Sequence, residues 1–393
     1  MRTEWRALYT LTDACVACGL CAPVCPSYAI EPTEAQSPRG RVQLIKLLAQ
    51  TQLAPDYSVQ DALNGCVGCG RCESVCPANV QVLTLIDGIR AKIAPKRSWR
   101  GDLIGSVLSR PALMGALRAA SGFSEIRKIA KNLGFPTVAA AVKNTEPQPC
   151  NTPTQIVFSA GCANELVQPA LAAACLQIAH ALKITARIQQ TCCGAYAKYR
   201  GQSKKANRLA DAFACNFTPS ETVVGLTPGC HRDHQKALGA RYLDLVEWLK
   251  QIEVSGNKFG AAQSLDKRYE DELSQPGKIR IVLHHPCSVQ KQPNAVASWR
   301  ALLPKIDGVE YVELDANITC CGAGGSYRFD QAKRSAKLGE VTAEAIQALK
   351  PDLVLSANVG CLAQLRTRLQ HNKDQRMSLE VVHPLLFALS ENR

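Results

Sequence analysis

The sequence predicts an α+β protein: an all-helical N-terminal region dense in cysteine, followed by two duplicated α/β repeats. Three observations carry that expectation. Two cysteine quartets share the spacing C-x2-C-x2-C-x3-C-P, the first at Cys15, Cys18, Cys21 and Cys25, the second at Cys66, Cys69, Cys72 and Cys76. Apolar residues at helical spacing follow each quartet, in GRVQLIKLLAQ (40–50) and VQVLTLIDGIRAKI (80–93). Later in the chain Cys162, the pair Cys192–Cys193 and Cys230 are matched, 125, 128 and 131 residues on, by Cys287, the pair Cys320–Cys321 and Cys361. Three landmarks in one order signal an internal duplication.

A chain of 393 residues has room for two or three domains with proper cores. Its nineteen cysteines fit an intracellular metal protein better than a disulfide scaffold. Disulfide frameworks belong to short secreted chains, the count is odd, and MRTEWRALYTLTDAC has no apolar stretch of the kind a signal peptide needs. The expected setting is cytoplasmic, with reduced thiols. No segment reaches the roughly 18–20 apolar residues of a spanning helix, since 102–122 is broken by Arg110, Pro111 and Arg118. The net charge of +13 is concentrated: eleven Lys and Arg lie between Arg90 and Lys143 against Asp102 and Glu125 alone. Such a block could face nucleic acid, an anionic membrane surface or an acidic partner, or else is a solvated linker face. No nucleic-acid partner is expected.

The quartets carry the clearest chemistry. A cubane [4Fe–4S] cluster needs four thiolates around one small body. Two-residue gaps let one loop wrap three corners with its N–H groups toward the sulfurs, and the three-residue gap throws the fourth cysteine past the cluster. In two-cluster ferredoxins that fourth thiolate ligates the other cluster. The expected ligand sets are therefore crossed: Cys15, Cys18, Cys21 and Cys76 for the first cluster, Cys66, Cys69, Cys72 and Cys25 for the second. Pro26 and Pro77 turn the chain after the last ligand. Zinc sites use separated C-x2-C pairs or added histidines, and fit two matched quartets less well.

Each repeat reads as an apolar strand ending at a cysteine, a helical stretch, a Cys-Cys-Gly turn, a further helix, and a second strand ending at a cysteine. Strands alternating with helices imply a largely parallel sheet, whose carboxyl ends gather the functional groups. Cys162, Cys192, Cys193, Cys230, Cys287, Cys320, Cys321 and Cys361 thus form a candidate further metal or redox site, four thiols per repeat, with a cleft lined by eight if the repeats adjoin. A further iron–sulfur cluster or zinc are the candidates, against a purely structural use. Cys175 and Cys215 are expected in helix cores, and Cys150 sits in a Pro-rich linker. His231, His234, His284 and His285 flank the cysteines and read as structural before they read as ligands. GAGGSYR (322–328) follows the Cys-Cys turn and lacks the strand-to-helix context of a nucleotide fingerprint.

The head resembles the helical ferredoxin module of succinate dehydrogenase and fumarate reductase iron–sulfur subunits. Two ferredoxin quartets followed by two Cys-Cys-Gly repeats resemble the iron–sulfur subunits of bacterial glycolate oxidase. Wider relatives are the C subunit of anaerobic glycerol-3-phosphate dehydrogenase and the B-type subunits of heterodisulfide reductase. SPRGRVQLIK (37–46), HHPCSVQK (284–291), CCGAGGSYRF (320–329) and ANVGCLAQL (357–365) carry the glycolate oxidase likeness. The wider family's motif ends in C-x2-C, whereas Cys230 is followed by His231, Arg232 and Asp233, and Cys361 by Leu362, Ala363 and Gln364. The missing thiols put disulfide-cleaving non-cubane clusters in doubt.

The resemblance implies a relay with no catalytic residue on this chain. A partner flavoprotein subunit would oxidise glycolate to glyoxylate on FAD, and this chain would pass single electrons through two [4Fe–4S] clusters toward membrane quinone. The alternatives are a heterodisulfide-reductase-like subunit, a glycerol-3-phosphate or lactate dehydrogenase iron–sulfur subunit, and a metal-dependent scaffold. The expected organisation is a helical ferredoxin-like domain over 1–95 and a basic amphipathic linker or docking segment over 96–150. The first repeat would occupy 151–255 and the second 278–393. The expected location is cytoplasmic, peripheral on the inner face of the cell membrane.

Overall fold

The structure is a computed structural model that describes residues 5–93, 98–110, 113, 114, 116, 155–254, 279–292, 294–303, 309–315, 320–369 and 379–390. Cys150 and most of 111–154 lie outside these residues, as does most of SVLSRPALMGALRAASGF (106–123).

Residues 5–93 form helices: α1 (Arg6–Thr12), α2 (Pro26–Ile30), α3 (Pro38–Ala49), α4 (Tyr57–Asn64), α5 (Arg71–Ser74) and α6 (Val82–Ile93). Local chemistry sets their starts. Ser37 caps α3 by accepting from the Gly40 N–H, with Pro38 in the first turn, and Asp56 caps α4 by accepting from the Val59 N–H. The α3 face of Val42, Ile45 and Leu48 packs with Leu85, Ile86 and Ile89 of α6 in one core. Both helices therefore bury the stripes that their sequence periodicity marks.

Each repeat carries a four-stranded, all-parallel sheet. The first is ordered β2-β1-β3-β4, from β1 (Ile156–Ser159), β2 (Ala186–Gln189), β3 (Thr222–Gly225) and β4 (Tyr242–Asp244). The second is ordered β6-β5-β7-β8, from β5 (Ile279–His284), β6 (Val309–Glu313), β7 (Leu353–Ser356) and β8 (Glu380–Val382). The sequence pattern shows only β1, β3, β5 and β7. Of these, β1 and β7 are buried along their whole length and β3 and β5 at all but one position, as strands covered on both faces must be. The other four are the outer strands. The half-exposed ones, ARIQ and VEYVE, mix in charged residues and give no continuous apolar run.

Helix α7 (Trp99–Leu108) falls in the stretch read as a linker, yet it is held by the repeats. Tyr196 donates to the Gly101 carbonyl at 3.1 Å, Arg200 to the Ser98 carbonyl at 3.1 Å, and Ile104 enters the core of the second repeat. The head is seated on both repeats. Arg334 grips Glu31 and Asp61 at 2.7 and 2.6 Å, Lys337 donates to the Ile30 carbonyl, and Lys198 pairs with Asp87 at 3.4 Å. One basic residue of the 90–143 block is not on the surface at all: Arg90 is buried and stacks over the Tyr199 ring at 4.1 Å. Among the described residues, no helix is long and apolar enough to cross a membrane.

Candidate metal centre

In the head, one small void is lined by Cys15, Cys18, Cys21 and Cys76, and an adjacent one by Cys25, Cys66, Cys69 and Cys72, with Cys72 also bordering the first. Each void thus brings together cysteines of both runs. Burial pushes the Cys69 thiol up to about 12 and the Cys72 thiol well above its ordinary value, each raised further by neighbouring cysteines. Bare thiolates are unfavourable in such a place, and a bound cation would supply the missing charge, since metal binding releases thiol protons. Polar support is already in position. The Arg41 side chain, 1% exposed, sits 4.0 Å from the Cys25 sulfur and donates to Ser27 at 3.0 Å. Ser27 in turn lies 3.2 Å from that sulfur, and the Val80 N–H donates to the Cys76 sulfur at 3.4 Å. Such hydrogen bonds to sulfur tune iron–sulfur potentials. The donor set and its surroundings therefore fit iron–sulfur clusters.

The eight repeat cysteines converge as well. A cavity of about 570 Å³ lies between the repeats and is lined by Cys162, Cys192, Cys193, Cys230, Cys287, Cys320, Cys321 and Cys361, with Cys69 of the second quartet on its wall. The topology explains the convergence, because every one of these cysteines follows the carboxyl end of a strand. Cys162 follows β1, Cys192 and Cys193 follow β2, Cys230 follows β3, Cys287 follows β5, and Cys361 follows β7. Cys320 and Cys321 come after β6 in the chain. In a parallel sheet all those ends lie on one edge.

The Cys-Cys-Gly turn depends on its glycine. Gly194 has φ +82 and Gly322 φ +75, and a Cβ at either would sit 2.5 or 2.4 Å from the carbonyl oxygen of Ala206 or Ser335, on the longer helices Ser203–Ala214 and Ala332–Ala348. The same turn packs against the same helix in both repeats.

The buried thiols share protons. Cys193 is held down at about 5 by a hydrogen bond from the Cys230 thiol and, next, by His234, while Cys230 is held correspondingly high. Cys192 is lowered by the Cys162 thiol, which is itself raised. In the second repeat the Cys321 and Cys361 sulfurs share a hydrogen bond at 2.9 Å, with Cys321 lowered and Cys361 raised by it. Burial raises Cys287 and Cys320. A buried thiolate with a thiol beside it is the state from which a metal displaces a proton.

Cys193, Cys230 and His234 also make a three-donor set, their ligand atoms all within 4.8 Å of one another. His234 is buried at 1%, stacked on Phe213 at 4.4 Å, with Nδ1 lacking a hydrogen-bond partner. Cys₂His with a further sulfur is a donor set that zinc accepts. The sequence offers the spacing C-x3-H, at which one helical turn brings His234 back beside Cys230, but nothing in it separates His234 from its neighbours. Of the other histidines beside the cysteines, His284 shares a hydrogen bond with Ser356 at 3.0 Å, His285 lies 3.5 Å from Glu313, and His231, on the cavity wall, is 3.8 Å from Asp244.

Two expectations for the remaining cysteines divide. Cys175 is fully buried in the core of the first sheet. Cys215 is exposed, because the helix ends at Ala214 and leaves Cys215 at its C-cap. Tyr199 and Tyr327 carry no sequence assignment, although they too recur at the 128-residue offset.

Taken together, the four-sulfur voids of the head and the thiol-lined edge of two parallel sheets define an iron–sulfur protein of the electron-transfer class. Residues 12–80 match the 4Fe-4S dicluster domain, and 156–233 and 281–366 each match the cysteine-rich domain. The chain thus joins a ferredoxin-type region to paired Cys-Cys-Gly repeats, and relatives matched over most of its length are iron–sulfur subunits of oxidoreductases. It is similar to the glycolate oxidase iron-sulfur subunit of Escherichia coli, 25% identical across 94% of this chain and 95% of that protein. It is likewise 25% identical to the probable glycolate oxidase iron-sulfur subunit of Bacillus subtilis, across 90% and 88%. One polypeptide of the dihydromethanophenazine:CoB–CoM heterodisulfide reductase of Methanosarcina barkeri is 23% identical, across 96% and 93%.

Proposed function

We propose that this chain is the electron-transfer subunit of a glycolate-oxidising complex that works at the inner face of the cell membrane. A flavoprotein subunit carrying FAD would oxidise glycolate to glyoxylate, and this chain would conduct the electrons toward quinone. Two [4Fe–4S] clusters supply one-electron chemistry when bound. Cys15, Cys18, Cys21 and Cys76 would hold one and Cys66, Cys69, Cys72 and Cys25 the other, while Arg41, Ser27 and the Val80 N–H stabilise charge on the sulfurs. The observation that carries the proposal is that two cysteine-lined voids lie side by side, with Cys72 bordering both and eight thiols around them, more than a structural metal requires. The choice of glycolate rests on the two glycolate oxidase subunits, matched over most of both chains.

The organisation proposed is the head over 1–95, the basic segment over 96–150 as the element that meets the membrane or the partner, and the repeats over 151–255 and 278–393. Trp99 and Leu103, exposed on α7, leave apolar surface beside Arg100 at the start of that segment.

A second reading has its own observation. The cavity lined by eight thiols is large enough for a small substrate, as a subunit of heterodisulfide-reductase type would need. Purification from the native source, followed by assay of the co-purifying flavoprotein, separates the two. A flavin-dependent glycolate oxidation that reduces a quinone analogue, and that stops with Cys72→Ser in this chain, supports the relay. Turnover of a disulfide by the isolated, metal-loaded chain supports the second reading, and undiminished quinone reduction by Cys72→Ser removes the first.

A further inference from the structure

The duplicated turn carries more than cysteines. Both repeats read T-C-C-G-A-x3-Y-R, so Tyr199 and Tyr327 are equivalent, as are Arg200 and Arg328. Both tyrosine hydroxyls reach out of their own repeat. Tyr199 donates to the Cys66 carbonyl at 2.7 Å and Tyr327 to the Gly65 carbonyl at 3.3 Å. The two repeats thus send the same residue to adjacent carbonyls of one loop, the loop that carries Cys66 and Cys69.

The packing around these bonds is close. Arg90 stacks on Tyr199 and donates to the same Cys66 carbonyl at 2.7 Å. A Cβ on Gly68 would sit 3.1 Å from the Tyr199 ring, and one on Gly324 would sit 2.8 Å from Val67 Cγ2. Tyr327 is fully buried, and a buried phenol must find an acceptor or forfeit its hydration. Cys69, four residues beyond Gly65, is the one head cysteine on the wall of the shared cavity, and Cys287 and Cys320 are its electrostatic neighbours.

We propose that Tyr199 and Tyr327 are a matched pair of positioning residues that clamp the 65–70 loop, and with it the second [4Fe–4S] site, against the thiol-lined cavity between the repeats. The inference rests on the relay reading for the presence of that cluster. The clamp fixes the second site, and leaves the first, with respect to both repeats at once. It explains why the tyrosine survives in both copies while the neighbouring arginine does not keep one role. Arg200 pairs with Asp102 and Asp330 at 3.2 and 3.0 Å, whereas Arg328 lines the cavity without a carboxylate partner among the described residues.

The test uses the full chain, purified anaerobically, as Tyr199→Phe, Tyr327→Phe and the double variant. Phenylalanine keeps the ring packing and removes only the hydroxyl. Iron content should match the parent chain. In an EPR-monitored redox titration the ratio of reduced to oxidised second cluster at fixed potential should fall about three- to tenfold in the double variant, tenfold being about 59 mV for one electron. The donated hydroxyl dipole that favours the extra electron is gone, while the first cluster should not move. Tyr199→Phe should act more strongly than Tyr327→Phe, and amide hydrogen exchange in 65–70 should quicken in the same order. Unchanged second-cluster titration and unchanged exchange in an iron-loaded double variant would overturn the clamp. A double variant that fails to load leaves the single variants and the exchange readout to decide. A parent head that binds no iron would instead overturn the relay reading beneath it.

Discussion

The two repeats share one plan and differ in what they place around the thiols. Both have the sheet order of a central strand pair flanked by outer strands, both need glycine after the cysteine pair, and both reach the head through an equivalent tyrosine. Around the last cysteine they part. The first repeat follows Cys230 with His234, turned toward Cys193, and the equivalent position after Cys361 is Leu365, buried in the core. Duplication has therefore kept the turn geometry and the contact with the head, and has changed the donor set of one copy. Elements that hold the fold cannot vary independently of their partners, whereas a ligand can be replaced by an apolar residue of similar volume at the cost of the metal alone.

The glycine turns offer the strongest way to break the comparison. Gly194→Ala and Gly322→Ala should each destabilise by roughly 2–4 kcal/mol, from a left-handed conformation that alanine resists and a clash with backbone that cannot move freely. Urea midpoints should fall by similar amounts in the two variants, and a tolerant member of the pair would show that the turns are not equivalent. His234→Leu, which makes the first repeat resemble the second, should lower metal affinity there at least tenfold and leave head iron untouched, as metal analysis after dialysis would show. Cys321→Ser should act only on the second repeat, so a loss of metal from the first would break the separation. Arg334→Ala should loosen the head from the second repeat by about 1–2 kcal/mol, limited because Glu31 and Asp61 are part-exposed and screened. Faster proteolysis between head and repeats would register it.

The smallest effect is a dependence on pH that His383 gives the second repeat. Burial holds His383 down at about 3, below its usual value. Its folded-state value is depressed, so the stability tied to its neutral form is complete above the usual imidazole value near 6.5 and is lost as pH falls toward 3. His383→Gln should flatten urea stability over that window. A slope equal to that of the parent chain would show that His383 does not report on the folded state.

Much of this organisation is legible in the residues. The quartets announce themselves because cluster ligation demands fixed short spacings, and the helices at 38–49 and 82–93 because their buried faces keep a helical period. The repeat cysteines are found through their offsets, and their place at strand ends follows from the parallel topology. The outer strands β2, β4, β6 and β8 escape because three to five residues, partly exposed and charged in ARIQ and VEYVE, leave no pattern. His234 escapes because its role depends on which helix face meets Cys193, a tertiary fact. Arg41 and Arg90 escape because buried arginines look like surface arginines until carbonyls and sulfurs are seen around them. Cys215 misleads in the other direction, since one residue at a helix end decides between core and solvent.

The most direct measurement is the iron, sulfide and zinc content of the anaerobically purified chain, with EPR spectra before and after dithionite. About eight irons and eight sulfides assignable to the head, with the signals of two interacting reduced clusters, are expected from two four-iron sites. A colourless protein, or zinc on the eight cysteines of the head, would contradict the account.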